Sequence, residues 1–268
     1  MGIRITQVDA FTERRYAGNP AAVCVLSEPA EERWMQDVAS EMNLSETAFA
    51  RRLPDGAKFN LRWFTPKAEV DLCGHATLAT AHILWEEGHL GRDDPALFET
   101  RSGLLTALRA PDGIELDFPT NPVSEPLSDP GALAELESIL GASVQFAGRS
   151  RFDLLVELES EEIVRALRPD IARLNKFPVR GVIVTARSHS GEYDLVSRFF
   201  APRVGVDEDP VCGSAHCCLG PYWAEKIGRT KLTARQLSCR GGTVKIRVEG
   251  PRTVLIGHAV TVLRGELV

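Results

Sequence analysis

The chain has 268 residues, 44% hydrophobic and 25% charged, with a net charge of −6. That length suits two domains with real cores, and the acidic balance excludes a nucleic-acid partner, which calls for a basic face. No apolar stretch reaches the length of a membrane span, and Met1 to Ile5 carry no signal-peptide pattern, so no membrane partner and a cytoplasmic location are expected.

In chain order, Ile3, Ile5, Val8 and Ala10 alternate with polar residues and predict a strand that enters a loop at Thr12 to Arg15. Residues 21–26 read as a buried strand. Residues 31–42, with Trp34, Val38, Ala39 and Met42 at helical spacing, read as a helix broken at Asn43, and residues 47–51 as the next strand. Residues 59–64 alternate again. Residues 77–87 are apolar on most faces and stop at Gly88, as a buried helix does. Strands over 104–109 and 114–118 flank the turn Pro111-Asp112-Gly113. Prolines 119, 122, 126 and 130 mark a linker, which gives domains of 1–120 and 121–268, with packing of the last strand back on the first domain as an alternative. In the second half, helices are expected over 130–140, 161–167 and 215–226, the last closing at Gly228. Strands are expected over 154–158, 181–186, 195–200, 243–248 and 253–263. The pattern is α+β: two β-rich halves, each with one long buried helix that a sheet wraps.

The halves share a sentence. Arg62 to Gly74 reads R-W-F-T-P-K-A-E-V-D-L-C-G. Arg198 to Gly213 reads R-F-F-A-P-R-V-G-V-D-E-D-P-V-C-G, the same string with Glu208-Asp209-Pro210 inserted. Each copy ends in Cys-Gly at the start of a helix, where unpaired N–H groups and a partial positive charge bind carboxylates and phosphates. Gly74 and Gly213 let a ligand approach the backbone. The same field lowers the pKa of Cys73 and Cys212 and favours thiolates; inert cysteines in tight packing turns are the other reading. His75 and Ser214 hold the next position in the two copies and can orient a substrate or share a proton; Ser214 as a helix cap is an equal alternative. The insertion brings acid to the second helix, with Asp209 nearest the Cys-Gly-Ser. Glu46, enclosed by apolar segments, is expected to have a raised pKa suited to proton transfer, or else a structural hydrogen-bonding role. Arg240, beside Gly241 and Gly242, is either a carboxylate clamp or a solvated turn residue.

Six cysteines in a chain this long form no disulfide framework. Cys212, His216, Cys217 and Cys218 lack the second ligand pair of a zinc site, so no metal is expected, and Cys217 and Cys218 read as core.

The segments D-A-F at Asp9, G-N-P-A-A-V at Gly18, N-L-S-E-T-A-F at Asn43, R-W-F-T-P at Arg62, D-L-C-G-H-A-T at Asp71, E-D-P-V-C-G-S-A-H at Glu208 and S-C-R-G-G at Ser238 span most of the chain in order. On these the chain resembles the phenazine-biosynthesis PhzF-like isomerases of the diaminopimelate-epimerase-like fold. The resemblance implies two similar domains, each a curved sheet around a central helix, with the active site in the cleft between them. It also implies chemistry without cofactor or metal, a small carboxylate substrate and a homodimer. By resemblance Glu46 moves a proton between carbons, with His75, Asp209 and Ser214 as helpers. Gly74, Gly213, Arg240, Gly241, Cys73 and Cys212 line the substrate. In the epimerase branch of the fold, two cysteines at the positions of Cys73 and Cys212 act as base and acid, which leaves a two-thiol racemase or epimerase as the alternative. The epimerase motif has Cys-Gly-Asn at the first site; here His75 follows Cys-Gly, which favours the PhzF-like reading. A binding module that keeps the fold without turnover is the third reading.

Overall fold

A computed structural model describes residues 2–268, which divide into two compact units: residues up to 118 with 254–268, and residues 119–253.

The first unit contains β1 (Ile3–Ala10), β2 (Asn19–Leu26), α1 (Glu32–Met42), β3 (Glu46–Arg52), β4 (Lys58–Phe64), β5 (Glu69–Val70), α2 (Gly74–Glu86), β6 (Ala96–Thr100), β7 (Gly103–Ala110) and β8 (Gly113–Pro119). β1 and β2 are antiparallel, β2 and β3 parallel, β3 and β4 antiparallel. β4 then pairs antiparallel with β5 and parallel with β6, and β6, β7 and β8 run on as hairpins. The second unit contains β9 (Glu125–Pro126), α3 (Pro130–Leu140), β10 (Val144–Arg149), β11 (Leu154–Leu158), α4 (Glu161–Ala166), α5 (Ile171–Leu174), β12 (Val182–Arg187), β13 (Leu195–Ala201), β14 (Val206–Asp209), α6 (Gly213–Ile227), β15 (Lys231–Gln236) and β16 (Gly242–Glu249). It repeats the plan: β10 and β11 antiparallel, β11 and β12 parallel, β12 and β13 antiparallel. β13 then pairs antiparallel with β14 and parallel with β15, and β15 antiparallel with β16. After β17 (Arg252–Gly257), β18 (Ala259–Leu267) pairs antiparallel with β1 in the first unit.

Each unit is a sheet curved around one helix. α2 touches β1, β2, β3, β7 and β18, and buries His75 to Ala81 and Ile83 to Trp85. A helix apolar all round belongs inside a core. Gly257 is required here, because a Cβ would collide with Phe11 and press on Leu78 of α2. α1 lies on the other face of the sheet with a single buried stripe, Met35, Val38 and Ala39. Trp34, Phe49 and Phe64 meet edge-to-face beneath it, with centroids 5.6–5.7 Å apart. In the second unit α3, α4 and α5 cover the outer face over Leu136, Leu140, Val164, Val184 and Phe200, and α6 packs on β15 and β16.

α3 shows how local chemistry sets an element. Asp129 caps it by accepting the Ala132 N–H at 2.9 Å, Pro130 opens it, and Gly141 closes it at φ 67°. α6 carries Pro221 in its interior. Proline has no N–H to donate to the Cys217 carbonyl, and that carbonyl accepts the Asn121 N–H at 3.0 Å instead.

Six strands, the short β5, β9 and β14 and the longer β6, β10 and β15, lie where the sequence gives no strand expectation, and the single strand expected over 253–263 is two, broken at His258. Both inner helices begin earlier than expected, at Gly74 and Gly213, so each cysteine is the N-cap residue and each glycine the first helical residue.

Candidate active site

In the first unit three expected site residues converge. Glu46 opens β3, paired with Ala21 of the parallel neighbour β2. His75, the second residue of α2, is buried and sets Nε2 3.0 Å from Glu46 Oε2. Cys73 places Sγ 3.6 Å from His75 Nδ1 and 4.0 Å from Nε2.

The ring is held from behind. Asn19, fully buried at the start of β2, sets its Nδ2 3.1 Å from His75 Nδ1, and its Oδ1 accepts from Ser45 at 3.2 Å. Nδ1 is then the acceptor, so the ring proton sits on Nε2, the nitrogen nearer the carboxylate. The loop before Asn19 is built for this. The Asp9 carboxylate accepts the Tyr16 N–H at 2.6 Å, and Gly18 turns the chain at φ 64°, where a Cβ would strike the Ala10 carbonyl.

Glu46 Oε2 is itself buried, and among the described residues it has no hydrogen bond of proper geometry despite the 3.0 Å approach of His75. The imidazole nitrogen stands beside the oxygen without sealing its lone pairs. A carboxylate held this way can take a proton from a carbon acid and return it.

The second unit is organised differently. Asp153, fully buried, grips Arg180 through two bonds of 2.8 and 2.6 Å, and Arg180 donates to Ser214 Oγ at 2.9 Å. Ser214 is therefore bound from outside the helix, while the N-cap position belongs to Cys212. Cys212 Sγ lies 3.3 Å from Ser214 Oγ, and its N–H goes to Gln236 Oε1 at 3.0 Å. Gln236 donates back to the Asp209 carbonyl at 2.6 Å. Arg240 lies half-buried in the turn after β15. That turn is tied down by the Gly241 N–H on Ser238 at 2.9 Å and by Ser238 on the Pro210 carbonyl at 2.8 Å.

Two expectations need correction. The helix field does not produce a thiolate at Cys212: complete burial pushes that thiol well up, and the nearby Asp209 charge adds to the rise. Desolvation over the whole side chain outweighs a field of half a charge at the helix end. The inserted acids also do not all reach the second helix. Phe64 pairs with Glu69 and Trp63 with Val70, while Phe199 pairs with Asp209. The equivalent of Val70 is thus Asp209, and that of Glu69 is Glu208. Arg62 and Glu69 form a two-bond pair at 2.7 and 2.6 Å, and Arg198 and Glu208 repeat it at 2.7 and 2.9 Å. The extra residues sit earlier, in the 3-10 turn Pro202–Val204 and Gly205 at φ 86°. Glu208 is a structural partner, and Asp209 alone stands at the entrance to α6.

Sequence reading passed over Asn19, Ser45, Arg180, Asp153 and Gln236. Asn19 had a signal, an asparagine after a glycine between two strand patterns. Arg180 and Asp153 stand 27 positions apart with no local pattern to join them.

Both units thus show a sheet wrapped around a helix that starts with a cysteine cap, and a 12% identical hydroxyproline epimerase from Agrobacterium vitis shares this fold, with a TM-score of 0.61 over 99% of this chain and 92% of its own. This is the diaminopimelate-epimerase-like α+β class. The family model described as phenazine biosynthesis-like protein, PhzC-PhzF, matches residues 8–265, and the chain belongs to that family. An uncharacterized isomerase of Halalkalibacterium halodurans is 54% identical over 97% of this chain and 96% of its own length. A PhzF-family crystal structure from Enterococcus faecalis is 41% identical, with a TM-score of 0.94 and full coverage of both chains. The protein is an isomerase of this family. Among the described residues, no helix is long and apolar enough to cross a membrane.

Proposed function

We propose that the protein shifts a proton between carbons of a small carboxylate, amino or cyclic, with Glu46 as the acid and base and no cofactor. The observation that carries this is the Glu46–His75 contact: a buried carboxylate oxygen without a hydrogen bond, 3.0 Å from an imidazole nitrogen whose tautomer Asn19 fixes. The carboxylate accepts the substrate proton, and the adjacent Nε2–H steadies the charge before and after transfer. In the second unit, Ser214 held by Arg180, with Asp209 and the Gly213 N–H, is proposed to handle the carboxylate and polar groups of the substrate. Arg240, Gly241 and Gly74 are assigned to binding. The two-thiol alternative needs a thiolate as base beside a thiol as acid, and Cys212, whose thiol burial pushes up, suits only the acid's part. A cytoplasmic homodimer is part of the same proposal, and sedimentation velocity tests the dimer.

The chemistry is tested in deuterated water with a panel of small amino, hydroxy and cyclic acids, read by mass spectrometry. Wild type is expected to place deuterium on carbon of at least one acid, and Glu46→Gln to lose that exchange. Full exchange in Glu46→Gln sinks the assignment.

A further inference from the structure

Glu46, Cys73 and His75 have a property that proton transfer does not use. One carboxylate oxygen, one thiol and one imidazole nitrogen lie within 4.8 Å of one another, all on the first unit. These are the three ligand types zinc prefers. In a tetrahedral zinc shell with bonds of about 2.0–2.3 Å, neighbouring ligand atoms stand about 3.3–3.6 Å apart. Here Nε2 to Oε2 is 3.0 Å and Nε2 to Sγ is 4.0 Å, each within about half an ångström of that spacing, and the third pair lies within 4.8 Å and closes as the ion binds. The second shell is present as well. Asn19 sits on the ring nitrogen that a metal bound at Nε2 leaves exposed, and its amide carries both a donor and an acceptor.

We propose that this cluster is an inhibitory zinc site: Zn2+ binds Glu46 Oε2, Cys73 Sγ and His75 Nε2, with water or a substrate carboxylate in the fourth position. The proton balance is simple. The Cys73 thiol releases one proton to solvent, and the ring proton moves from Nε2 to Nδ1. The Asn19 amide turns so that Oδ1 accepts the Nδ1–H. The two negative ligands, thiolate and carboxylate, neutralise the ion. Cys73 has no step in the proposed proton transfer, and this gives it one. Zinc occupies the Glu46 lone pair and displaces the His75 Nε2–H that the transfer needs, so metal and turnover exclude each other; that last consequence alone rests on the proposed isomerase chemistry.

The test uses the reduced full chain titrated with Co2+, which reports sulfur ligation by a near-ultraviolet charge-transfer band and tetrahedral geometry in the visible. The expected result is one equivalent bound with both signatures, bleached by Zn2+. Cys73→Ser abolishes the near-ultraviolet band, while Cys212→Ser and Cys239→Ser keep it. A wild-type chain without the band, or a Cys73→Ser chain that retains it, overturns the proposal. Should Cys73→Ser not fold, His75→Asn serves, with affinity for Zn2+ expected to fall more than about 100-fold; Asn19→Ala, one shell out, should lose about 10-fold. Unchanged affinity in His75→Asn is equally fatal. None of these readouts needs turnover, so failure of the isomerase assignment and failure of the zinc site are separable.

Discussion

The two units repeat one strand-and-helix plan and have diverged at the second residue of the inner helix. In both, a cysteine holds the N-cap position without a capping side-chain bond and a glycine begins the helix. The first unit then has His75, against a carboxylate with no hydrogen bond of its own among the described residues. The second has Ser214, locked by Arg180, which is itself locked by buried Asp153. One entrance is left chemically unfinished; the other is a saturated hydrogen-bond network. The backbone that aims groups at a helix end was kept in both copies, and one side chain decides whether the entrance holds an open carboxylate or a closed network.

The strongest way to break this contrast is to compare Glu46→Gln with Cys212→Ser. Loss of a positioned acid–base group lowers rate by about 10²–10⁴-fold, and Glu46→Gln is expected to show that in deuterium incorporation. Cys212→Ser should lose less than about tenfold, because a thiol raised by burial is no base at neutral pH. Equal losses in the two variants would return the two-thiol mechanism to first place.

The histidines give a second contrast. His75 faces a carboxylate, whereas His216 is completely buried, donates Nδ1–H to the Cys212 carbonyl at 2.6 Å and has its pKa pushed down to about 4 by burial. In the unfolded chain this group titrates near its ordinary value of about 6.5. Between those two values the unfolded state binds a proton that the folded state does not, so stability falls as pH drops through that window. The slope approaches about 1.4 kcal/mol per pH unit, about 3 kcal/mol in total. Urea unfolding at pH 7, 6 and 5 should show this extra slope in wild type and not in His216→Asn, whose amide can still donate to the carbonyl. Parallel slopes would mean that His216 is not the buried neutral group described.

How much of this was legible in the sequence follows from how local each signal is. α2 and the first half of α6 could be read because a helix segment buried on every side is apolar on every side, whatever surrounds it. β6 and β15 could not. In β15, Lys231, Thr233 and Arg235 alternate with the buried Leu232 and Ala234, a weak apolar face on a strand whose identity comes from its partners β13 and β16. At the site, Glu46 and His75 stand in local motifs and were named. The ring's partner Asn19 is 56 positions from His75, and its role exists only once β2 lies beside α2. The duplication is legible in the letters, but the letters align Val-Asp with Val-Asp, whereas strand pairing matches Glu69 to Glu208.

That realignment yields the smallest expected effect. Both copies clamp an arginine with a glutamate, and the clamps differ in surroundings. Arg198 is nearly buried, and besides Glu208 it donates to the Val164 and Leu167 carbonyls at 3.3 and 2.8 Å, closing the end of α4. Arg62 is more exposed, and its partner Glu69 is also held by Arg101 at 2.5 Å. Lysine cannot reproduce the planar fork that serves several acceptors. Arg198→Lys leaves carbonyls and a carboxylate short of donors in a dry setting, so it should cost about 2–3 kcal/mol by urea unfolding. Arg62→Lys leaves Glu69 still paired with Arg101 and part of its environment wet, so about 1 kcal/mol or less is expected. Losses of the same size would show that the two clamps carry equal weight. A larger loss at Arg62 would reverse the ranking, placing the heavier structural restraint on the unit that holds Glu46 and His75.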